Sequence, residues 1–260
     1  MALSRVEQVL LTVMSSSLQF PDYSVGTIAL CHDPLCMDEF EWVEAVGTVI
    51  VPGGARASYL GCETLGDFEL FCQWIQGPAG PRILSVDLIH VEIGGEAVLT
   101  KYPVLRKAKG LAVSTVQGAP LAAIAAELRH CEHLRIRTEN MAAKELQHLA
   151  AIPQLSRLEI IDRVFRSAHV SLIEAMPALN CLSVIVRDLD DDLLYLANRL
   201  QKLEQFFLFV TGGARTSNEN ARNLTGVLSS TFEGAWLWIS GFRGKTQWIG
   251  VSRLGLSKDG

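Results

Sequence analysis

The sequence predicts an α/β solenoid of strand and helix repeats, in which a parallel, concave sheet backs onto a row of outer helices, and three observations predict it. The first is a period of 24 residues. Cys131, Leu155, Leu179 and Leu203 form one apolar column, Leu134, Leu158, Leu182 and Phe206 a second, and Ile136, Ile160, Val184 and Leu208 a third. The second is the spacing inside a copy: Leu158 and Ile160 are two apart, a strand period, whereas Leu146, Leu149 and Ile152 follow at intervals of three, a helix period. The third is bulk composition. A chain of 260 residues with 49% AVILMFWYC, 20% DEKR and 9 prolines can bury a large core, which excludes a collagenous, low-complexity or wholly disordered protein.

Residues 1–26 precede the first strand and are expected to cap the stack. Strands are predicted at 27–31, 56–60, 84–89 and 111–115, where β-branched and large apolar residues run together, with helices at 37–46, 67–75, 95–102 and 120–130. The repeat is most regular over 128–210. There Leu146, Val170 and Leu194, then Leu149, Ile173 and Ala197, then Leu128, Ile152, Met176 and Leu200 keep the same period, and Pro153 and Pro177 share a column. Asp190, Asp191 and Asp192 ahead of Leu193–Ala197 mark a helix start, where unsatisfied N–H groups favour acidic side chains. After a strand at 205–210, a polar loop over 211–218 leads to a helix at 219–229 and a strand at 235–240, so the solenoid is expected to span 27–240. The tail, 241–260, contains a predicted hairpin over 242–251 turning at Arg243-Gly244-Lys245, placed to cover the open end of the stack.

The copies Cys131-x-x-Leu134-x-Ile136, Leu155-x-x-Leu158-x-Ile160, Leu179-x-x-Leu182-x-Val184 and Leu203-x-x-Phe206-x-Leu208 resemble leucine-rich repeats of the ribonuclease-inhibitor-like kind. In flavour they are similar to the irregular repeats of F-box/leucine-rich-repeat substrate receptors. The resemblance is strongest over 128–210 and implies protein recognition, in one form the recruitment of substrates for ubiquitin transfer. Where that family places Asn or Cys three residues after the last strand Leu, this chain has Glu139, Arg163 and Arg187, and residues 1–50 hold no F-box-like sequence.

A (β/α)8 barrel is the alternative architecture, since about eight strand and helix units also satisfy it. Equal intervals favour the solenoid, because stacked rungs reward a fixed rise and barrel strands do not. The barrel reading brings with it an enzyme acting on a small anionic substrate held by Arg137, Arg163 or Arg187.

A formal net charge of -5 argues against a protein that binds phosphate backbones, so no nucleic-acid partner is expected. The charge is uneven: residues 1–80 carry 2 basic and 10 acidic groups, and 101–166 carry 11 basic and 6 acidic. Such polarity either orients a partner or is spread over a solvated surface. No stretch approaches the ~20 apolar residues of a membrane helix, and Val9–Met14 is too short for a signal core, so no membrane insertion is expected. An intracellular chain, cytoplasmic or nuclear, is the corresponding expectation, with its six cysteines acting as small core residues.

No cofactor, metal or catalytic residue is expected. Within His130-Cys131-Glu132-His133 the thiol falls in a core column, and Cys31, His32 and Cys36 lack paired zinc spacing. Gly53-Gly54 and Gly212-Gly213 lack the remainder of a phosphate loop, and no Gly-x-Ser-x-Gly elbow occurs.

Alternation along the strands sets Arg157, Glu159 and Ile161, with their equivalents one period away, on the face opposite Leu158 and Ile160. The expected partner-binding residues are Arg135, Arg137 and Arg157 at a basic end and Ile185, Phe207, Phe209, Trp236 and Trp238 at an apolar end, since Arg and aromatic residues are favoured at interface centres. Those aromatics alternatively form core beneath the C-terminal hairpin, and the basic end a solvated face neutralised by Glu159 and Glu132. The expected function is a non-enzymatic module that recognises a protein partner, either recruiting a substrate or serving as a subunit of a larger assembly. On this reading Leu158→Ala costs ~2–5 kcal/mol. Arg157→Ala, on an open surface, costs within ~0.5 kcal/mol.

Overall fold

Short runs rich in β-branched, aliphatic and aromatic residues form the strands of two units, 1–114 and 115–260. The computed structural model describes residues 15–31, 40–53, 55–60, 65–91, 99–114, 125, 127–138, 143–164, 167–188, 200, 202–211, 234–239 and 247–252. No helix among these is long and apolar enough to cross a membrane.

In the first unit β1 (Ser16–Gln19) pairs antiparallel with β4 (Thr48–Val51). A sheet holds β2 (Thr27–Cys31), β3 (Phe40–Glu44), β5 (Arg56–Tyr59), β6 (Leu88–Val91) and β7 (Gly110–Ser114) in the order β3-β2-β5-β6-β7. Here β2 is antiparallel to both β3 and β5, while β5, β6 and β7 run parallel. Helix α1 (Leu65–Trp74) covers the face that carries Tyr59. The Tyr59 ring stacks on Phe71 with centroids 3.8 Å apart, and its hydroxyl donates to the Val25 carbonyl. Trp74 extends this aromatic column to Phe20 at 5.4 Å. Gly47, at φ +57°, makes the turn between β3 and β4, and its N–H donates to the Pro21 carbonyl at 2.9 Å. At Gly110 a Cβ would lie 1.8 Å from the Asp87 carbonyl oxygen, so only glycine fits where β7 begins.

Four features of this unit differ from the sequence expectation. A strand, β1, already lies at Ser16–Gln19, ahead of the first strand expected at 27, because β4 supplies it with antiparallel partners. Of the helix expected over 37–46, residues 40–44 instead form β3, because Phe, Trp and Val suit a pleated strand and β2 supplies backbone partners through Phe40 opposite Cys31 and Trp42 opposite Ala29; residues 37–39 lie outside the described residues. The strand expected at 84 begins at Leu88, because Pro81 opens a short helix α2 (Gly80–Ile83) that closes with the Leu84 N–H on the Gly80 carbonyl at 2.8 Å. Antiparallel pairing of β2 also means that parallel order starts only at β5. Residues 99–101 are helical and lead into a 3-10 turn, Pro103–Lys107, whereas 95–98 lie outside the described residues.

In the second unit β8 (His133–Arg137), β9 (Arg157–Val164), β10 (Cys181–Asp188), β11 (Gln205–Val210) and β12 (Gly234–Ile239) run parallel in that order. Helices α3 (Ala143–Leu149) and α4 (Ser167–Glu174) fill the intervals after β8 and β9. His133 lies opposite Arg157, Arg157 opposite Cys181, and Cys181 opposite Gln205, so the period of 24 is the pairing register itself. The step from Gln205 to its partner Gly234 is longer, and the period ends there. Every residue of the three strand columns is at most 3% exposed, and Leu146, Leu149, Val170, Ile173, Leu128, Ile152, Met176 and Leu200 are buried as well.

Backbone groups tie the rungs together. The Glu132 carbonyl accepts from Ser156 and Arg157, that of Ser156 from Asn180 and Cys181, and that of Asn180 from Glu204 and Gln205, all between 2.8 and 3.1 Å. Arg163 and Arg187 are exposed, and Glu139 lies outside the described residues. Lys202 Nζ donates to the Glu174 carbonyl at 2.8 Å and to that of Met176, satisfying acceptors at the end of α4.

The tail hairpin differs from expectation: β13 (Gln247–Ser252) pairs antiparallel with β12, so the first arm is 234–239 rather than a segment after 242. Trp236, Leu237, Trp238 and Ile239 form a run that favours strand, and Gly234–Ile239 pairs with Gln247–Ser252 along its whole length. The expected turn at 243–245, the Asp190–Asp192 helix start, the loop over 212–218 and the helix at 219–229 lie outside the described residues; of the helix expected at 120–130, residues 127–130 form turns instead, with the Leu128 N–H on the Ala125 carbonyl and the Cys131 N–H on that of Leu128, and most of the remainder lies outside the described residues.

Candidate functional site

Strand parity divides the second sheet into a core face, bearing Leu158 and Ile160, and an opposite face. On the latter, register aligns Arg135, Glu159, Ser183 and Phe207 in one row, flanked by His133, Arg157, Cys181 and Gln205 and by Arg137, Ile161, Ile185 and Phe209. Glu159 is the centre of a charged cluster. Its Oε1 accepts from His133 Nε2 at 2.8 Å and meets Arg157 Nη2 at 3.3 Å, while Oε2 accepts from Arg135 Nε at 2.8 Å. Arg135 stands directly across the ladder from Glu159, and Arg157 is two residues before it on the same face.

Burial opposes ionisation of Glu159 most strongly, yet the His133 hydrogen bond and the charges of Arg135 and Arg157 prevail and hold its carboxyl well below the usual carboxylate range. Burial lowers the His133 imidazole below its ordinary value of 6.5, aided by the two guanidinium charges and opposed by its bond to Glu159. Near neutral pH the cluster is therefore a carboxylate, two guanidiniums and a neutral imidazole whose Nε2–H donates. Arg157 Nε is buried without an acceptor, which adds a desolvation cost of ~1–3 kcal/mol to this residue.

The face is not one open basic and apolar strip. Arg135 and Arg157 are only 29% and 21% exposed and belong to the Glu159 cluster. Arg137 is exposed at the end of β8. Ile185, Phe207 and Phe209 are half-buried, whereas Cys181 and Ser183 between the charged and aromatic columns are buried. Trp236 and Trp238 stand in register beside Phe207 and Phe209 on β12, and their side chains lie outside the described residues. Burial of Glu159 corrects the expectation that Arg157 is a lightly held surface residue.

The chain's reading as sequence overlooked Glu159 as a hub and His133 as its ligand. The signal was present, since Arg135 lies one period before Glu159 in the same row, and His133 and Arg157 lie one period apart in the adjacent row. Asp162, Thr138 and His169 are further buried polar residues with no marker in the sequence. Cys31, Cys72, Cys131 and Cys181 are buried thiols, Cys131 Sγ donating to the His133 carbonyl at 3.3 Å, while Cys36 and Cys62 lie outside the described residues. No group of three His, Cys, Asp or Glu suited to a metal ion occurs among the described residues. No protein-family model matches the chain, and no curated protein shows significant similarity to it.

Proposed function

We propose that this chain is a non-enzymatic protein-interaction module, a leucine-rich-repeat-like solenoid whose concave sheet face takes a protein partner within the cell. The observation that carries the reading is the second sheet itself. Four parallel strands with one register step hold a rigid row in which charge passes from Arg137 and the Glu159 cluster to half-buried Ile185, Phe207 and Phe209. A frame fixed by backbone bonding presents these side chains with little ordering entropy left to lose on binding. Arg135 engages Glu159 through Nε, and a guanidinium carries five N–H donors, so the same side chain can also meet an acceptor on a partner. Substrate recruitment and membership of a larger assembly are two forms of this one role.

Site-specific photocrosslinking tests the face. A photoreactive residue at Arg137 or Ile185 is expected to capture a partner that the same residue at exposed Lys144 or Ser171, on α3 and α4, does not. Capture from the helical positions alone would refute the assignment.

A further inference from the structure

We infer that β3 is a second docking edge, one that takes a basic, extended segment of a partner as an added strand. Three observations lead there. β3 ends the strand order of the first unit's sheet, and among the described residues it pairs only with β2. An edge strand presents a row of backbone donors and acceptors, which proteins usually blunt with Lys, Pro or a bulge. Phe40-Glu41-Trp42-Val43-Glu44 contains no Pro, its ladder to β2 runs without a break, and the charge that guards it is carried by Glu alone, which repels an acidic strand and admits a cationic one.

The side chains supply the second observation. Trp42 is 62% exposed and Phe40 41%, with ring centroids 5.9 Å apart. Register sets Trp42 beside Ala29 and Ser58, and Phe40 beside Cys31 and Arg56, on the face opposite the one Tyr59 presents to α1. The pair is therefore an aromatic shelf at the rim of the sheet.

Charge selects the occupant. Residues 6–55 contain seven Asp and Glu and no Lys or Arg, and two of the seven, Glu41 and Glu44, are exposed on β3. A second copy of this strand would bring four carboxylates to one edge, which like-charge repulsion disfavours. A segment alternating Lys or Arg with apolar residues sets its cations on one face, and on the face of Phe40, Trp42 and Glu44 it meets all three features: backbone bonding to the edge, opposite charge at Glu44, and aliphatic stems or cationic heads over Trp42 and Phe40. This surface lies in a different unit from the proposed sheet-face site and stands independently of it.

The test uses the full chain and three synthetic peptides: one alternating lysine and valine, the same peptide with alternate amides N-methylated, and one alternating glutamate and valine. Binding is followed by fluorescence polarisation, and hydrogen exchange is read at 40–44. The lysine peptide is expected to bind and to slow exchange at 40–44. N-methylation and the glutamate peptide are expected to abolish binding, and Trp42→Ser or Glu44→Lys to weaken it about tenfold or more. Unchanged melting of these variants, whose positions are exposed, separates lost docking from lost folding. No binding by the lysine peptide, binding that survives N-methylation, or unaltered exchange at 40–44 would each overturn the inference.

Discussion

Replacing Glu159 by Gln removes the negative charge that holds the second unit's sheet face together while keeping shape and size. The carboxylate stands 2.8 Å from Arg135 Nε and 3.3 Å from Arg157 Nη2. At an effective dielectric of 20, contacts at these separations are worth about 5–6 kcal/mol each. Desolvating a carboxylate of 4% residual exposure opposes that gain by several kcal/mol. In the variant, two guanidiniums face each other across a neutral amide, and their partial exposure lets them turn toward water. A net loss of about 2–4 kcal/mol follows, at the lower edge of what breaking a buried pair costs. Urea unfolding at pH 7, followed by circular dichroism, measures it. The pH profile supplies a second readout. Because the folded Glu159 and His133 both bind protons less readily than the unfolded chain, their contributions are complete above the ordinary values of 4.5 and 6.5. The parent should lose stability as pH falls below 6.5 and again below 4.5. Glu159→Gln should lose the lower limb. A variant within about 0.5 kcal/mol of the parent, with the same acid profile, would refute the cluster as described.

Four further outcomes follow from the same geometry. Arg157→Ala should cost about 1–2 kcal/mol rather than act as a neutral surface change, because it removes one counter-charge of Glu159; Arg157→Met, which loses the same charge and the same orphaned Nε but keeps the packing of the unbranched stem, should cost less, and equal losses in urea titrations would contradict this. Leu158→Ala, fully buried in the core column, should cost about 2–5 kcal/mol by the same measurement. Tyr59→Phe should lose about 1–2 kcal/mol by removing the buried bond from the hydroxyl to the Val25 carbonyl, visible as faster amide exchange around 25–30. Gly110→Ala should give little folded protein, since its Cβ would meet the Asp87 carbonyl at 1.8 Å; a normal thermal melt would show that the backbone can yield there.

How much of this was legible in the sequence depended on whether a residue's environment repeats. Leu134, Leu158, Leu182 and Phe206 face the same neighbours one rung apart, so period and burial pattern carry the same information, and the strands of the second unit follow from it. Phe40–Glu44 has no such repeat. Its apolar residues fit a helix or a strand, and the choice was made by β2, a partner whose backbone groups a local reading does not weigh. The short helix at Gly80–Ile83 shows the same effect on a smaller scale, Pro81 starting a turn inside an apolar run. At the candidate site, residue types and face were legible. The coupling was not: burial of Glu159 depends on the long side chains of Arg135, Arg157 and His133 closing over it, a cooperative arrangement that single positions do not display.

The central claim is that the sheet face of the second unit takes a protein partner, and a paired capture experiment tests it most directly. The intact chain and an Arg137→Glu, Ile185→Asp variant of unchanged melting temperature are immobilised side by side, and stoichiometric partners are quantified by mass spectrometry. A protein retained by the intact chain and lost from the variant is the predicted result. Identical partners on both, or none on either, would contradict it.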